Sequence, residues 1–403
     1  MSSPTYRSGS SSGSASVPSG PSTYRGSGRA QVPPRRGDYG PVPSQGRGGP
    51  PPHGPGGPPR GPGGEPYRRG PRPRWGRIAL VGLVALLMVA GLGLGGAFLY
   101  YRSLDSGLQR TDAFSKISGA RPPAAPAGAE NILMLGSDSR DPENKAKPGQ
   151  WRTDTMILVH VSADHQKAYL ISIPRDLYVH IPESPTNPEF GNTNAKINAA
   201  FAWGGVPLAV QALEGYTEVR IDHVVLVDFG GFQQVTDALG GVDLNIEQSI
   251  TSIHKPFRHF DKGVQHLNGA EALDYVRQRY QFPDGDFGRM RHQQQFMKAL
   301  LDKATSTGTM SNPFKLKAFL DSVTKAMTVD NDFSLAGTAW SFRSLTSKDL
   351  TFMVSPNRGS GTVNGESVVL SDKNKALSLY DAVAKDTVSD WVAQNGTSAK
   401  PGQ

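Results

Sequence analysis

Residues 78–101 (IALVGLVALLMVAGLGLGGAFLYY) form an unbroken apolar run with no charged residue, apolar on every face of a helix. At 1.5 Å per residue such a helix extends roughly 36 Å, enough to cross a ~30 Å hydrocarbon core with some tilt. Arg68, Arg69, Arg72, Arg74 and Arg77 crowd its N-terminal side, with Trp75 at the expected interface. By the positive-inside rule the preceding residues stay in the cytoplasm and everything after 102 is exported. The run is long for a signal-peptide core, and Ala-Phe-Leu-Tyr-Tyr-Arg lacks the small-residue pattern of a cleavage site. The expectation is therefore a single-pass anchor in the cell membrane rather than a removed leader.

The anchor divides the chain into segments of different chemistry. Residues 1–77 are Ser, Gly, Pro and Arg with scarcely an aliphatic side chain, too little apolar surface to offset conformational entropy, and read as a disordered cytoplasmic tail. Residues 102–129, ending in ARPPAAPAGAE, read as a linker holding the domain off the bilayer. A globular domain is expected over 130–395 and a short polar tail over 396–403. The net charge of +8 belongs to the first segment: twelve arginines against Asp38 and Glu65 give +10 there, leaving −2 for the remainder. A nucleic-acid-binding domain carries its positive patch on the folded part, so no nucleic-acid partner is expected. An RNA-binding reading of the RG-like tail is outweighed by a solvated tail attracted to anionic lipid, at ~1 kcal/mol per basic residue near the surface. The absence of cysteine excludes disulfides, thiolate catalysis and zinc–thiolate sites, and is compatible with a Gram-positive exterior.

Within the domain, strands alternate with helices, the pattern of an α/β layered fold. Apolar runs over 131–136, 155–162, 167–174 and 223–229 read as strands, the second and third joined as a hairpin through Asp164–His165–Gln166. Helical patterns cover 196–213 (interrupted at Gly204-Gly205), FQQVTDALGG, 268–281, 288–305, 312–328, 335–345 and 373–394, with short strands near 350–354 and 367–370.

The polar residues that stand out sit at the ends of these elements, where ligand sites of α/β sheets gather. They are Asp138 and Arg140 in GSDSR, Arg152 and Asp154 in RTDT, Arg175 and Asp176 in IPRD, and Arg277 and Arg279 in VRQR. Asp286, Arg289 and Gln293 follow in DGDFGRMRHQQ. Repeated Arg suits forked contacts to a multiply charged anion. Carboxylates among the arginines suit a hard cation bound between them and phosphate oxygens, and phosphoryl transfer then needs mainly positioning and charge neutralisation. Taken singly, each cluster is equally a set of solvated surface ion pairs, and Arg277 and Arg279 share no helix face unless the helix ends there. No P-loop motif and no HExxH spacing is present.

In this order, NILMLGSDSR (131–140), RTDTMILVHV (152–161), ISIPRDLYVHIP (171–182) and KINAAFAWGG (196–205) resemble the LytR-CpsA-Psr family of bacterial cell-wall ligases. So do IDHVVLVDFGGF (221–232), ALGGVD (238–243), LNGAEALDYVRQRY (267–280) and DGDFGRMRHQQ (284–294). The resemblance implies a three-layer α-β-α sandwich with a central mixed sheet, facing the outside from its membrane anchor. It implies a phosphotransferase that moves a glycopolymer from a polyprenyl-pyrophosphate carrier to peptidoglycan as a phosphodiester, with Mg²⁺ as cofactor. By motif, Asp138 and Asp154 match the Mg²⁺ carboxylates, and Arg152, Arg175, Arg277 and Arg279 the pyrophosphate clamp, with Arg289 nearby and Gln293 as its neutral member. Arg152, Arg175 and Asp138 are the expected catalytic set, Asp138 being the candidate general base, and the polyprenyl tail is expected in an apolar tunnel lined by segments such as 155–161 and 201–213. Residues 372–403 read as one helix and a polar tail, so the extra C-terminal domain that some members carry is not expected here. Two other readings remain at this stage: the same site using water as acceptor, a polyprenyl-pyrophosphate phosphatase, or a non-catalytic regulatory membrane protein.

Overall fold

The computed structural model describes residues 99–137 and 153–397. The expected tail of residues 1–77, residues 78–98 of the apolar run, Asp138, Arg140, Arg152 and residues 398–403 of the expected C-terminal tail lie outside the described residues. Among the described residues no helix is long and apolar enough to cross a membrane.

A helical segment over 99–107 leads into β1 (Gln109–Thr111), β2 (Glu130–Ser137), β3 (Thr153–Val161), β4 (Ala168–Ser172), β5 (Tyr178–Ile181) and β6 (Thr193–Lys196). Next come α1 (Asn198–Thr217), β7 (His223–Asp228), α2 (Phe229–Ala238), β8 (Val242–Ile246), β9 (Ile250–Thr251), β10 (His259–Phe260), β11 (Gly263–Leu267) and α3 (Gly269–Val276). The chain continues through α4 (Asp286–Ala304), α5 (Thr307–Met310), α6 (Pro313–Ala326), β12 (Met327–Asp330), α7 (Leu335–Ser341) and β13 (Leu350–Val354). It closes with β14 (Asn357–Val363), β15 (Glu366–Ser371), α8 (Lys373–Ala384) and α9 (Val388–Asn395).

The expected α/β fold is present. Seven strands in the order β1-β12-β7-β2-β3-β4-β13 make one mixed sheet: β2 runs parallel to β7, antiparallel to β3, and β4 parallel to β13. Strand alternation sends successive side chains to opposite faces. Leu133, Leu135, Leu158 and Ile171 meet Phe201, Val210 and Leu213 of α1, Tyr380 of α8 and Trp391 of α9 on one face. Their neighbours Ile132, Ile157, Val159 and Leu170 meet Phe333, Leu345 and Met297 of α4 on the other. Both faces are covered by apolar side chains, which is why the strands read as nearly continuous apolar runs rather than alternating ones.

Four expectations are corrected. Residues 102–129 are part of the domain: β1 pairs with β12 at the sheet edge, Ala113 is 1% exposed in the first core, and Arg121 bonds Glu214 of α1 at 2.6 Å. The segment looks like a linker because a few anchoring side chains, not a periodic pattern, tie it down. The helix expected over 312–328 stops at Ala326, and its last two residues open β12, which lies between β1 and β7. The helix expected over 268–281 stops at Val276. The helix expected over 373–394 is two helices, broken where Asp386 takes φ 56° and accepts the Ala163 amide at 3.1 Å. The interruption expected in α1 is there, with Gly205 at φ 66° followed by Pro207.

Candidate functional site

Three loop-to-element junctions place the charged side chains. Arg175 and Asp176 follow β4, whose neighbour β3 carries Asp154 at its start. Asp286 opens α4, where the exposed amides of the first turn favour a carboxylate, and Arg289 sits one turn on. Arg277 and Arg279 follow α3, which is started by a reciprocal cap: Asn268 Oδ1 accepts the Glu271 amide and Glu271 Oε2 accepts the Asn268 amide, both at 3.0 Å.

The end of α3 resolves the difficulty of two arginines at i and i+2. Past Val276 they are no longer held to helical geometry, and the residue between them pins the segment. Gln278 is fully buried; its amide donates to Ser252 Oγ at 2.9 Å and to Asp274 Oδ1 at 2.8 Å, while its oxygen accepts from Gln281 at 2.6 Å. With Gln278 turned inward, Arg277 and Arg279 both line one cavity.

That cavity, about 150 Å³, is bounded by Asp154, Arg175, Arg277, Arg279, Arg289 and Gln293. Arg175 binds Asp154 through Nη1, and its Nε lies 3.6 Å from Asp286 and 3.7 Å from Asp176. Asp286 Oδ1 also stands 2.8 Å from Arg289 Nη2 and 3.7 Å from Arg279 Nε. Arg289 Nη2 donates to the Asp154 carbonyl at 3.0 Å. One carboxylate thus faces three guanidinium groups. Among the described residues, neither Asp286 oxygen, nor Nε of Arg175 or Arg289, has a partner in hydrogen-bond geometry, although all are buried. Four arginines against Asp154, Asp176 and Asp286, counted among the described residues, leave an excess of positive charge with unused donors, the condition for binding a multivalent oxyanion. Burial pulls the Arg175 pKa down, but Asp286, Asp154 and Asp176 outweigh it and hold it above its ordinary value. For Arg289, burial dominates, the Arg175 and Arg279 charges add to it, and the pKa falls below its ordinary value.

A second cavity of about 250 Å³ adjoins the first and shares Thr155, Phe229, Arg277 and Gln293 with it. The rest of its wall is mostly apolar, including Ile157 of β3, Val235 of α2, Val276 of α3, Phe296 of α4 and Val323 of α6. Arg277 marks the junction, its guanidinium 4.5 Å from the centre of the Phe229 ring. The wall can close in this way because α6 crosses α2 at Gly231, where a Cβ would meet Ala326 Cβ at 2.5 Å. Of the two segments expected to line an apolar tunnel, 155–161 does so through Thr155 and Ile157. Residues 201–213 do not: α1 packs against the opposite face of the sheet.

The expected residues Asp154, Arg175, Arg277, Arg279, Arg289 and Gln293 come together in one place. The expected Asp138 and Arg152 lie outside the described residues. Asp286 was visible in the sequence without a role, and its central position depends on Arg175 and Arg279 arriving from distant segments. Gln278 and Phe229 carried no signal beyond polarity and apolarity. For Mg²⁺ the described residues hold no cluster of three carboxylate or imidazole ligands. The Asp154 carboxylate on the cavity wall nonetheless fits the donor chemistry, since Mg²⁺ in phosphate sites takes one or two carboxylates with substrate oxygens completing its shell.

The LytR_cpsA_psr family model matches residues 103–385. The chain is similar to the polyisoprenyl-teichoic acid–peptidoglycan teichoic acid transferase TagV of Bacillus subtilis (strain 168), 33% identical over 247 residues, which are 60% of each chain. It is 37% identical over 246 residues to the probable cell wall biosynthesis protein LcpB of Corynebacterium glutamicum, covering 58% of this chain and 55% of LcpB. The chain therefore spans between half and two thirds of the length of these relatives. The crystal structure of Bacillus subtilis TagV superposes with a TM-score of 0.54 at 26% identity, over 65% of this chain and 98% of that one.

Proposed function

The chain belongs to the LytR_cpsA_psr family, and from that premise we propose that it transfers a glycopolymer from a polyprenyl-pyrophosphate carrier to peptidoglycan. The observation that carries this reading is the adjacency of the two cavities. A guanidinium-lined chamber shares Thr155, Phe229, Arg277 and Gln293 with an apolar one beside it, which suits a ligand with a pyrophosphate head and a hydrocarbon tail. The relatives that carry transferase names act, by those names, on a polyisoprenyl-linked polymer and peptidoglycan.

In the proposed reaction an acceptor hydroxyl of peptidoglycan attacks the phosphorus attached to the glycan. Its O–P bond forms as the bond from that phosphorus to the bridging oxygen breaks, and polyprenyl phosphate leaves with the bridging oxygen. The hydroxyl proton goes to a base, for which Asp138 is the candidate. Arg175, Arg277, Arg279 and Arg289 hold the two phosphates and neutralise charge developing on the leaving oxygen, the largest contribution such a site makes. Asp286 keeps three of those guanidinium groups converging before substrate arrives. Arg152 joins the clamp in this reading. Asp154, with Asp138, would hold Mg²⁺, whose chemistry when bound is to neutralise phosphate charge. The same reading places residues 78–101 across the cell membrane with the N-terminus in the cytoplasm and the domain, as one layer of sheet between two of helix, outside.

The test incubates the full chain, in lipid nanodiscs, with Mg²⁺, a labelled polyprenyl-pyrophosphoryl oligosaccharide and peptidoglycan fragments, beside Arg175→Ala. Label on peptidoglycan that requires both metal and Arg175 is the expected result. Phosphate release without sugar transfer makes the chain a phosphatase, and turnover independent of Arg175 removes the clamp.

A further inference from the structure

Three of the large apolar side chains left exposed among the described residues, Leu99 (67%), Met310 (56%) and Phe314 (84%), gather at one end of the domain. The segment 99–107 runs beside α6 in the same direction. Near its start, the Tyr100 hydroxyl reaches Asp321 at 3.5 Å and the Lys317 ammonium lies 5.7 Å from the Tyr100 ring. Near its end, Gly107 packs closely on Thr324, whose Cγ2 would lie 3.3 Å from a Cβ at that position. Leu99 and the first turn of α6, which carries Phe314, therefore sit at the same end, and Met310 closes the short helix that leads into that turn. This is also where the apolar run of residues 78–101 reaches the domain.

The apolar cavity points the same way. Gln293, Phe296, Met297 and Leu300 of α4 line it at i, i+3, i+4 and i+7, one stripe about 10 Å long. The stripe starts at the arginine chamber and runs toward Ala304, beyond which lie α5 and Met310. At about 250 Å³ the cavity falls below the ~300–1,000 Å³ of sites that enclose a drug-sized ligand. A long polyprenyl tail cannot fit inside it, and the remainder needs another apolar phase.

We propose that the end of the domain formed by Leu99, Met310 and Phe314 docks into the anionic headgroup layer of the bilayer, and that the cavity opens there so the tail enters sideways from the membrane. The proposal rests on the reading of residues 78–101 as the membrane anchor. Charge supports the choice of occupant. Asp321 pairs with Lys317 and Asp105 with Arg110, whereas Arg102 and Lys315, both exposed, have no carboxylate partner among the described residues. Apolar side chains flanked by unpaired cations are the composition of a surface that lies in an anionic interface.

The chain has no cysteine, so Phe314→Cys, Met310→Cys and, as a control on the β14–β15 hairpin, Thr362→Cys each give one labelling site. The full chain carrying an environment-sensitive fluorophore is reconstituted in phosphatidylethanolamine–phosphatidylglycerol vesicles with and without brominated acyl chains. Flotation and resistance to alkaline extraction report the anchor separately. Quenching by brominated lipid at 310 and 314, at least threefold stronger than at 362, is the expected result. Equal quenching at all three positions in chain that floats overturns the docking face while leaving the anchor. Self-quenching at 314 with no bromine effect assigns the patch to a second copy of the chain and also overturns it. Chain that fails to float overturns the anchor and the proposal together.

Discussion

Val323→Phe separates a tail-binding cavity from ordinary core by the sign of two effects. Val323 lines the apolar cavity from α6, and phenylalanine adds about four carbon-sized groups. These groups take up part of the 250 Å³ present. In the free protein the new carbons fill space, a gain of up to ~0.8 kcal/mol per group against strain of ~1–3 kcal/mol. Stability should stay level or rise by about 1 kcal/mol. A bound tail loses the burial of about the same four groups, roughly 3 kcal/mol, or ~10²-fold in kcat/KM. The assay compares donors with long and with one-isoprene prenyl chains under identical conditions, with urea unfolding of the same preparation. The long-chain donor should lose about two orders of magnitude while the short one changes less than threefold. If both donors lose equally, or if activity and stability fall together, the cavity is core and not a tail site.

Three further outcomes follow from the same geometry. Arg175→Lys keeps the charge and loses the fork that reaches Asp154, Asp176 and Asp286; kcat/KM should fall at least tenfold, as for one charge-assisted hydrogen bond of ~1.5–3 kcal/mol, and an unchanged value would show that a point charge suffices. Arg121→Ala strands the carboxylate of Glu214, which is 4% exposed and among the described residues keeps the Ile221 amide at 2.8 Å as its one remaining partner. A loss of ~3–5 kcal/mol is expected in urea, mostly recovered by adding Glu214→Leu; no loss would mean that residues 102–129 are a linker after all. Burial, with both ring nitrogens unpartnered among the described residues and set between Tyr275 and Phe282, pushes His292 down to about 4. The unfolded chain then binds a proton that the folded one refuses, so stability falls as pH drops from 6.5 to about 4, by roughly 3 kcal/mol. His292→Leu should flatten that acid slope when unfolding is followed from pH 7 to 4.5, and an equally steep slope in the variant would put the titration elsewhere.

The α/β class was legible because it depends on local periodicity: β2, β3, β4 and β7 are apolar runs, α2 is followed by the glycine pair Gly240-Gly241, and α4 begins after Asp284-Gly285. Six of the expected clamp and metal positions, Asp154, Arg175, Arg277, Arg279, Arg289 and Gln293, were legible as residue types at element ends, and the order of the motifs pointed to the family. Their convergence was not, because a sequence separates Arg175 from Asp286 by more than a hundred residues while the fold sets them 3.6 Å apart. The same holds for β1 and β12, three and four residues long, whose strand character comes from the sheet that receives them rather than from their own propensity. Gln278 looked like a polar helix residue, yet burial and five side-chain hydrogen bonds make it the peg that turns two arginines inward. What the sequence determined by itself was everything carried by periodicity and residue chemistry within a short window. The tertiary structure alone decided which side chains share a cavity, because burial, ion pairing and the direction of an apolar stripe are properties of elements brought together from far apart in the chain.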